Sequence, residues 1–178
     1  VRVRILDRAR NLDAGPVANV SSVTFRYDPT PPTVNIGFPD SRQRQAAVTQ
    51  SSGTAGDTGS SVALVEMRIR INTGDDAGKF WDKSSRNPAQ FSILPAAAET
   101  AWVPVNGTTG WSTGTLSTFW TTQSSYTIIV RSQDSAGNYS TSYASASFTY
   151  DTDLPTSWVV SPSSLVIVGM NSVTGTAS

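Results

Sequence analysis

The chain has 178 residues, no cysteine and no histidine, and its 13 Lys and Arg residues balance 13 Asp and Glu residues. The lack of cysteine excludes disulfides, thiolate metal sites and a cysteine nucleophile, and the lack of histidine excludes the usual general base near neutral pH. Balanced charge leaves no basic field for nucleic acid or an anionic membrane, and no apolar run is long enough to span a bilayer. We therefore expect no enzyme, no nucleic-acid partner and no membrane insertion in this segment.

Short apolar runs separated by Ser, Thr, Gly and Asn follow one another along the whole chain. Met67, Ile69 and Ile71 alternate with arginines, and a similar alternation runs through 125–133, which predicts half-buried β-strands. The stretch 96–99 is too short for more than one helical turn. The predicted strands lie near 1–7, 21–28, 33–37, 46–50, 62–72, 79–81, 90–94, 101–105, 115–120, 125–133 and 145–151.

Several short motifs occur twice, 122 to 127 residues apart. The segment 25–39 contains Phe-x-Tyr-Asp, Pro-Thr and a further proline, and the same residues return in 148–162. Gly-Thr-Ala at 53–55 returns at 175–177, and the Asp-x-Ala-x-Asn turn that begins at Asp7 returns at Asp134. Self-similarity at a fixed period is the signature of repeated structural units.

The repeat predicts three parts of unequal length. Residues 1–29 are expected to be the C-terminal strands of one repeat, 30–152 a complete repeat with an insertion at about 73–112, and 153–178 the N-terminal strands of a third. A unit of this length with seven or more strands favours a two-sheet sandwich over a thin solenoid. Both chain ends look cut from something larger.

The stretch 125–156 also carries a family resemblance. Its Asp134-Ser-Ala-Gly-Asn138 turn and its Asp151-x-x-x-Pro155 junction resemble the last two strands and the linker of bacterial Ig-like repeats in large adhesins and other cell-surface proteins. A weaker resemblance covers 1–33, where Arg10 replaces the turn glycine, so we expect a different backbone geometry in that turn.

The resemblance implies an all-β fold of immunoglobulin-like antiparallel β-sandwich repeats in tandem, located outside the cell and acting as a spacer. It also implies calcium at some junctions between repeats. The candidate ligands, which are hard oxygen donors near a junction, are Asp134, Asn138, Asp151 and Asp153, with Asp7, Asn11 and Asp28 at the matching upstream positions. The alternative is that Asp134 and Asn138 only satisfy backbone amides in a tight turn, while the other two lie in a solvated linker.

The tryptophans suggest a second hypothesis, because exposed aromatic faces can stack on sugar rings. Trp102 and Trp120 have strand-like surroundings and are predicted to pack between the sheets. Trp81 and Trp111 are flanked by polar residues and glycine, so we expect them to be exposed and to be the candidate ligand-binding residues.

The expected function is mechanical: extracellular repeats that form a stalk or a filament. The expected partners are neighbouring repeats of the same chain, or other copies that add a missing strand to an open sheet edge. The alternatives are a carbohydrate- or protein-binding module that uses the insertion at 73–112, and an accessory domain of a secreted hydrolase.

Overall fold

The computed structural model describes residues 4–15, 23–41, 43–84, 90–116, 120–163 and 168–178. Strands make up 42% of the chain and helix 5%, which confirms the all-β class. In these residues no helix is long and apolar enough to cross a membrane. The predicted strands at 1–7, 21–28 and 115–120 lie partly outside the described residues.

The structure forms the following elements in chain order: β1 (Thr33–Phe38), β2 (Arg44–Gln45), β3 (Ser52–Gly56), β4 (Val62–Ile71), β5 (Phe80–Asp82), β6 (Gln90–Ile93), a 3-10 helix (Pro95–Ala101), β7 (Val103–Pro104), β8 (Gly110–Ser112), β9 (Ser124–Asp134), β10 (Ala144–Tyr150), β11 (Ser157–Ser161) and β12 (Thr174–Ala177).

Two sheets build the central part of the molecule. The large sheet has the order β2-β10-β9-β4-β5-β6, with β7 also paired to β4, and the small sheet has the order β1-β3-β8. All these pairs are antiparallel except β2 with β10. The long central pair β4–β9 sets the register of the large sheet, with Ile69 opposite Ile128.

The hydrophobic core contains side chains from both sheets. Period-2 alternation sends one side of β4 and β9 inward, where residues such as Ile69 and Ile128 are fully buried. Trp120 packs edge-on against Tyr126 and Phe148 and donates from Nε1 to the Val48 carbonyl at 2.6 Å. The core cluster comprises Val34, Val48, Ala55, Val62, Val65, Met67, Ile69, Phe91, Trp111, Leu116, Tyr126, Ile128, Val130 and Phe148.

Trp102 lies outside this core cluster, and the prediction that it packs between the sheets is wrong. The guanidinium groups of Arg68 and Arg131 each lie over its ring, 4.3 Å from the ring centroid. Its Nε1 donates to Glu99, which also pairs with both arginines. Because Arg68 and Arg131 alternate with core residues of β4 and β9, this cluster covers the opposite face of the large sheet.

The hairpin β11–β12 forms a two-stranded sheet of its own. Its register repeats that of β1 and β3: Val34 is opposite Ala55, and Ser157 is opposite Ala177. Both pairs also have an irregularity one residue before the last paired position. Every residue of β11 and β12 is exposed, unlike the partly buried β1 and β3.

Candidate cation site

Three carboxylates converge at one end of the two sheets. Asp28, Asp57 and Asp134 each place a carboxylate oxygen within 4.8 Å of the others. The side chains are shielded from solvent: Asp28 is 8% exposed, Asp134 is 2% exposed and Asp57 is partly buried. In the part of the chain that the structure describes, none of the three forms an ion pair.

Each carboxylate comes from a different segment. Asp28 lies in the segment that leads into β1, Asp57 lies in the loop between β3 and β4, and Asp134 is the last residue of β9. The start of β4 pairs with the end of β9, with Val62 opposite Asp134, so the loop before β4 lies beside the turn after β9. The cluster therefore connects the incoming linker to both sheets.

Asp134 is fixed by the turn that follows it. Its Oδ1 accepts hydrogen bonds from the backbone amides of Ala136 at 2.9 Å and Asn138 at 2.8 Å, and its Oδ2 accepts one from Asn138 Nδ2 at 2.8 Å. Burial raises the pKa of Asp134, but the hydrogen bonds led by Asn138 outweigh it, and the pKa lies below its ordinary value of 3.8. This turn role of Asp134 and Asn138 was one of the two sequence-based interpretations.

Asn138 also binds the linker. Its Nδ2 donates to the Asp28 backbone carbonyl at 2.9 Å, in addition to its bond with Asp134. One amide group therefore joins the turn after β9 to the segment before β1. This contact holds Asp28 against the end of β9 without using the Asp28 carboxylate.

Two carboxylate oxygens in the cluster have no hydrogen-bond partner among the described residues. Asp28 Oδ1 accepts from the Thr30 amide at 3.0 Å, and Asp57 Oδ2 accepts from the Ser60 amide, but Asp28 Oδ2 and Asp57 Oδ1 are buried and unpartnered. Burying a charged acceptor without a partner is costly, so a water molecule or a cation at such a position would stabilise it. The two oxygens belong to the side chains that converge on Asp134.

The charge and the donor type favour a calcium ion as this ligand. Ionised carboxylates whose oxygens lie within 4.8 Å of one another repel each other. A divalent cation would replace this repulsion with attraction. Calcium prefers oxygen ligands, carboxylates above all, whereas zinc and copper sites normally include imidazole or thiolate, and this chain contains neither.

Gly59 keeps space for the Asp28 carboxylate. A Cβ atom at Gly59 would overlap the carboxylate carbon and both carboxylate oxygens of Asp28. The loop between β3 and β4 can therefore approach the linker this closely only with glycine at this position. Asp57 supplies a carboxylate to the cluster, and the missing side chain of Gly59 leaves space for the Asp28 carboxylate.

The structure separates the four predicted calcium ligands into two groups. Asp134 and Asn138 lie together, but Asp151 and Asp153 hydrogen-bond to Gln123, which precedes the first residue of β9. Asp134 ends that strand of 11 residues, so the groups lie roughly 33 Å apart along it. This corrects the expectation of one four-residue site: β10 runs antiparallel to β9, and Asp151, directly after β10, therefore lies at the far end.

Asp57 is the cluster member that sequence reasoning missed, and Asp28 appeared only as an upstream match. The available signal was the Asp-x-Gly loop directly after the repeated Gly-Thr-Ala motif at 53–55. A repeated motif brings its flanking loop to the same place in each unit. The loop that contains Asp57 was therefore a better source of a third carboxylate beside Asp134 than the segment with Asp151 and Asp153.

The upstream turn copies the turn after β9. The Asn11 amide donates to Asp7 Oδ1 at 2.9 Å and Asn11 Nδ2 donates to Asp7 Oδ2 at 3.0 Å, as Asn138 does to Asp134. Arg10 adopts φ 68°, and Gly137 at the matching position has φ 95°. The predicted change in backbone geometry is limited to the smaller φ of Arg10: both residues are left-handed, because the Asp–Asn bonds hold the turn.

The two candidate sugar-binding tryptophans differ in exposure. Trp111 is 2% exposed, its ring lies against Gly53, and it belongs to the core, so the expected exposure of Trp111 is wrong. Trp81 is partly buried and packs against the same core. The physical reason is that β8 pairs with β3 and carries Trp111 over a glycine, which leaves space for the indole ring.

Comparisons with known proteins add little to this geometry. No family model matches the chain, and no curated protein matches it significantly. One solved structure that resembles it is an engineered protein from a structural genomics consortium, with 16% sequence identity and a TM-score of 0.39 over 67% of this chain. The match spans 20% of that engineered chain.

Proposed function

We propose that this chain is a structural segment of an extracellular protein, in which Ig-like sandwich repeats are joined in tandem and calcium fixes the linker to the sandwich. The observation that carries the proposal is the buried convergence of Asp28 with Asp57 and Asp134. A linker residue and two sandwich residues share this cluster, and two of the carboxylate oxygens have no partner. A cation bound there would hold the linker in one direction.

The linker composition supports a mechanical role. The segment that follows Asp28 is Pro29-Thr-Pro-Pro32, and proline fixes φ and limits bending. Asn138 ties the Asp28 carbonyl to the sandwich, and a cation would tie its carboxylate as well. A short, proline-rich linker that is bound at its start makes a stiff rod rather than a flexible chain.

The repeated hairpin register supports the tandem arrangement, with units at 1–29, 30–152 and 153–178. The large apolar residues that the structure describes in the two outer units are exposed, including Phe25 at 66% and Trp158 at 57%. Neighbouring repeats of the same chain, or strands of another copy, would cover these residues. Such a stalk or filament would lie at the cell surface, and its mechanical role would need no catalytic residue.

The alternative function, a binding module built on the insertion at 73–112, has less support. It needs exposed aromatic faces, and Trp111 lies in the core. Trp81 alone, partly buried, offers a small stacking surface.

Thermal melting with calcium and with a chelator tests the proposal. A ligand that binds only the folded state at about 50 times its Kd adds about 2.3 kcal/mol of stability by linkage. We expect calcium to raise the Tm of the 178-residue chain by several degrees, and magnesium to raise it less, because magnesium demands stricter octahedral geometry. Isothermal titration should give one site with a Kd at or below about 1 mM.

The variant Asp57→Asn makes this test sharper. It removes one of three repelling charges but keeps the shape of the side chain, so we expect a higher Tm than wild type in chelator and a lower Tm than wild type in calcium. Asp75→Asn is the matched control, because Asp75 is exposed and lies outside the cluster. It should leave both melting temperatures unchanged.

If the cluster only braces the loop between β3 and β4, Asp57→Asn should lower the Tm equally in both conditions. Equal melting of wild type in calcium and chelator, with no heat of binding in titration, would sink the calcium proposal. A calcium response that survives in Asp57→Asn would place the ion elsewhere.

A further inference from the structure

A second polar cluster holds the start of the outgoing linker, residues 151–153. Arg44 Nη1 donates to Asp151 Oδ2 at 2.7 Å and to Gln123 Oε1 at 3.2 Å. Gln123 Nε2 donates to Asp151 Oδ1 at 3.1 Å and to Asp153 Oδ2 at 2.6 Å. Gln123 therefore contacts both linker carboxylates, and Arg44 contacts that of Asp151.

Thr122 completes the cluster on the same loop. Its Oγ1 accepts a hydrogen bond from the Thr152 amide at 3.1 Å and donates to Asp153 Oδ1 at 3.1 Å. All three linker residues 151–153 are thus bound by side chains that belong to the sandwich. The carboxylate oxygens and backbone amides of this linker segment all have protein partners, whereas two carboxylate oxygens of the Asp28 cluster have none among the described residues.

The strand order places these groups together. Tyr150, the last residue of β10, lies opposite Ser124, the first residue of β9, which brings Asp151 beside Gln123. The short strand β2 pairs in parallel with the end of β10, and the Asp151 amide donates to the Gln45 carbonyl at 3.0 Å. This pairing carries Arg44 to the linker from the segment between β1 and β3.

The two linkers share one feature and differ in another. Asp28 Oδ1 accepts from the amide two residues on, that of Thr30, and Asp151 Oδ1 accepts from the amide of Asp153 in the same way. The other oxygen differs: Asp28 Oδ2 is buried and unpartnered, whereas Asp151 Oδ2 binds Arg44. The same repeated aspartate is therefore paired with a cationic side chain at one linker and with none at the other.

We propose that Arg44 and Gln123 form a metal-independent lock on the outgoing linker, in which the Arg44 guanidinium takes, at Asp151, the place that a divalent cation takes at Asp28. The comparison with Asp28 rests on the proposed calcium function; the lock itself does not. The Arg44 side chain is 66% exposed and that of Asp151 is 19% exposed, so the ion pair alone is weak. The lock acts through the combined set of bonds, with Gln123 at its centre.

Residue-resolved amide hydrogen exchange by NMR on the whole 178-residue chain tests the lock. In wild type, we expect the Thr152 and Asp153 amides to be protected equally in calcium and in chelator. Gln123→Ala removes the bonds to both carboxylates and should speed exchange at these two amides about tenfold, which corresponds to about 1.4 kcal/mol in the free energy of local opening. Arg44→Gln should have a smaller effect in the same direction.

Arg70→Gln is the matched control, because Arg70 is an exposed arginine on β4 whose Nε donates to Asn72. It should leave exchange at Thr152 and Asp153 unchanged. Amides in the β9–β10 ladder report on folding, and they should stay protected in all three variants.

A salt series on wild type gives a second measurement that needs no variant. Raising the salt to about 1 M shortens the screening length to about 3 Å and should speed exchange at Thr152 and Asp153 no more than Arg44→Gln does, because salt weakens chiefly the exposed Arg44–Asp151 ion pair. Unprotected linker amides in wild type, protection that calcium controls, or no change in Gln123→Ala would overturn the lock. Failure of the calcium melting test leaves this result unaffected, so the two proposals fail separately.

Discussion

The hairpins β1–β3 and β11–β12 have the same register, but only the first contributes to a core. Val34 and Ala55 face each other in the first hairpin and are buried, while Ser157 and Ala177 face each other in the second and are exposed. The first hairpin lies against β9 and β10, and among the described residues the second has no such sheet beside it. The chain therefore contains one structural element in two packing environments.

The comparison separates what sets the register from what supplies the stability. Hairpin register is set locally, by the Gly-Thr-Ala strand and its partner, since the two copies agree without sharing their surroundings. Stability comes from apolar area that a second sheet removes from water. The hairpin β11–β12 carries Trp158, Val159 and Val160 exposed, so this stabilisation is missing.

The largest expected effect comes from removing a core aromatic residue of the sheet that covers β1. Phe148 is 2% exposed and packs against Trp120 and Tyr126, so Phe148→Ala should cost about 3–5 kcal/mol and lower the Tm by more than about 10 °C. Trp158→Ala should change the free energy of unfolding by less than about 0.5 kcal/mol, because Trp158 is 57% exposed. Thermal melting in chelator measures both.

Phe148→Leu keeps the comparison informative if the alanine variant does not fold, since it leaves a smaller cavity and a smaller loss in Tm. A large loss of stability in Trp158→Ala would contradict the comparison. It would mean that the second hairpin packs against the sandwich in solution.

A smaller effect is expected from filling the space beside a strand glycine. A Cβ at Gly53 would overlap the Asn35 carbonyl and the Trp111 ring, so Gly53→Ala should cost about 1–3 kcal/mol. Gly56, in the same strand, has no atom within 4 Å of an added Cβ, so Gly56→Ala should stay within about 0.5 kcal/mol of wild type. Urea unfolding measures the difference, and equal midpoints would show that Trp111 does not need Gly53.

Alternation in the sequence predicted the strands that form the centre of the large sheet. The expected strands at 62–72, 125–133 and 145–151 correspond closely to β4, β9 and β10. Apolar and polar residues alternate through β10 and through most of β4 and β9, because one face of the sheet is buried. The strand that was expected at 33–37 also corresponds to β1.

The small sheet was harder to predict. β3 is Ser-Gly-Thr-Ala-Gly and β8 is Gly-Trp-Ser, sequences that are typical of loops, and the nearby strand was expected at 46–50 instead. These segments are extended because β3 pairs with β1 on one edge and β8 on the other. Tertiary pairing decides such cases, and local propensity does not show it.

The candidate site was predicted in part for the same reason. The repeat identified Asp28 and Asp134 as members of recurring motifs, but motif spacing does not show which end of a sheet each motif reaches. Antiparallel pairing of β9 and β10 places Asp151 far from Asp134, and the β3–β4 loop brings in Asp57. Only the strand order distinguishes these arrangements.

The smallest expected effect concerns the two copies of the Asp–Asn turn, and it extends the comparison from hairpins to turns. The backbone bond from Asn11 lowers the pKa of Asp7 most, and a similar set of bonds lowers that of Asp134, so both titrate below 3.8 in the folded chain. A carboxyl group whose pKa is lower in the folded chain than in the unfolded chain stabilises the folded state at any pH above its unfolded pKa. This stabilisation is lost as the pH falls through the folded pKa.

Replacing the asparagine in each turn tests whether the copies are equivalent. Asn11→Ala and Asn138→Ala each remove a side-chain hydrogen bond but keep the backbone amide bond, so the pKa of Asp7 or Asp134 should rise toward 3.8. NMR titration of the carboxyl carbons in chelator measures both. Because Asn138 also binds the Asp28 carbonyl, only Asn138→Ala should increase amide exchange in the linker before β1. Equal linker exchange in the two variants would mean that Asn138 does not hold the linker.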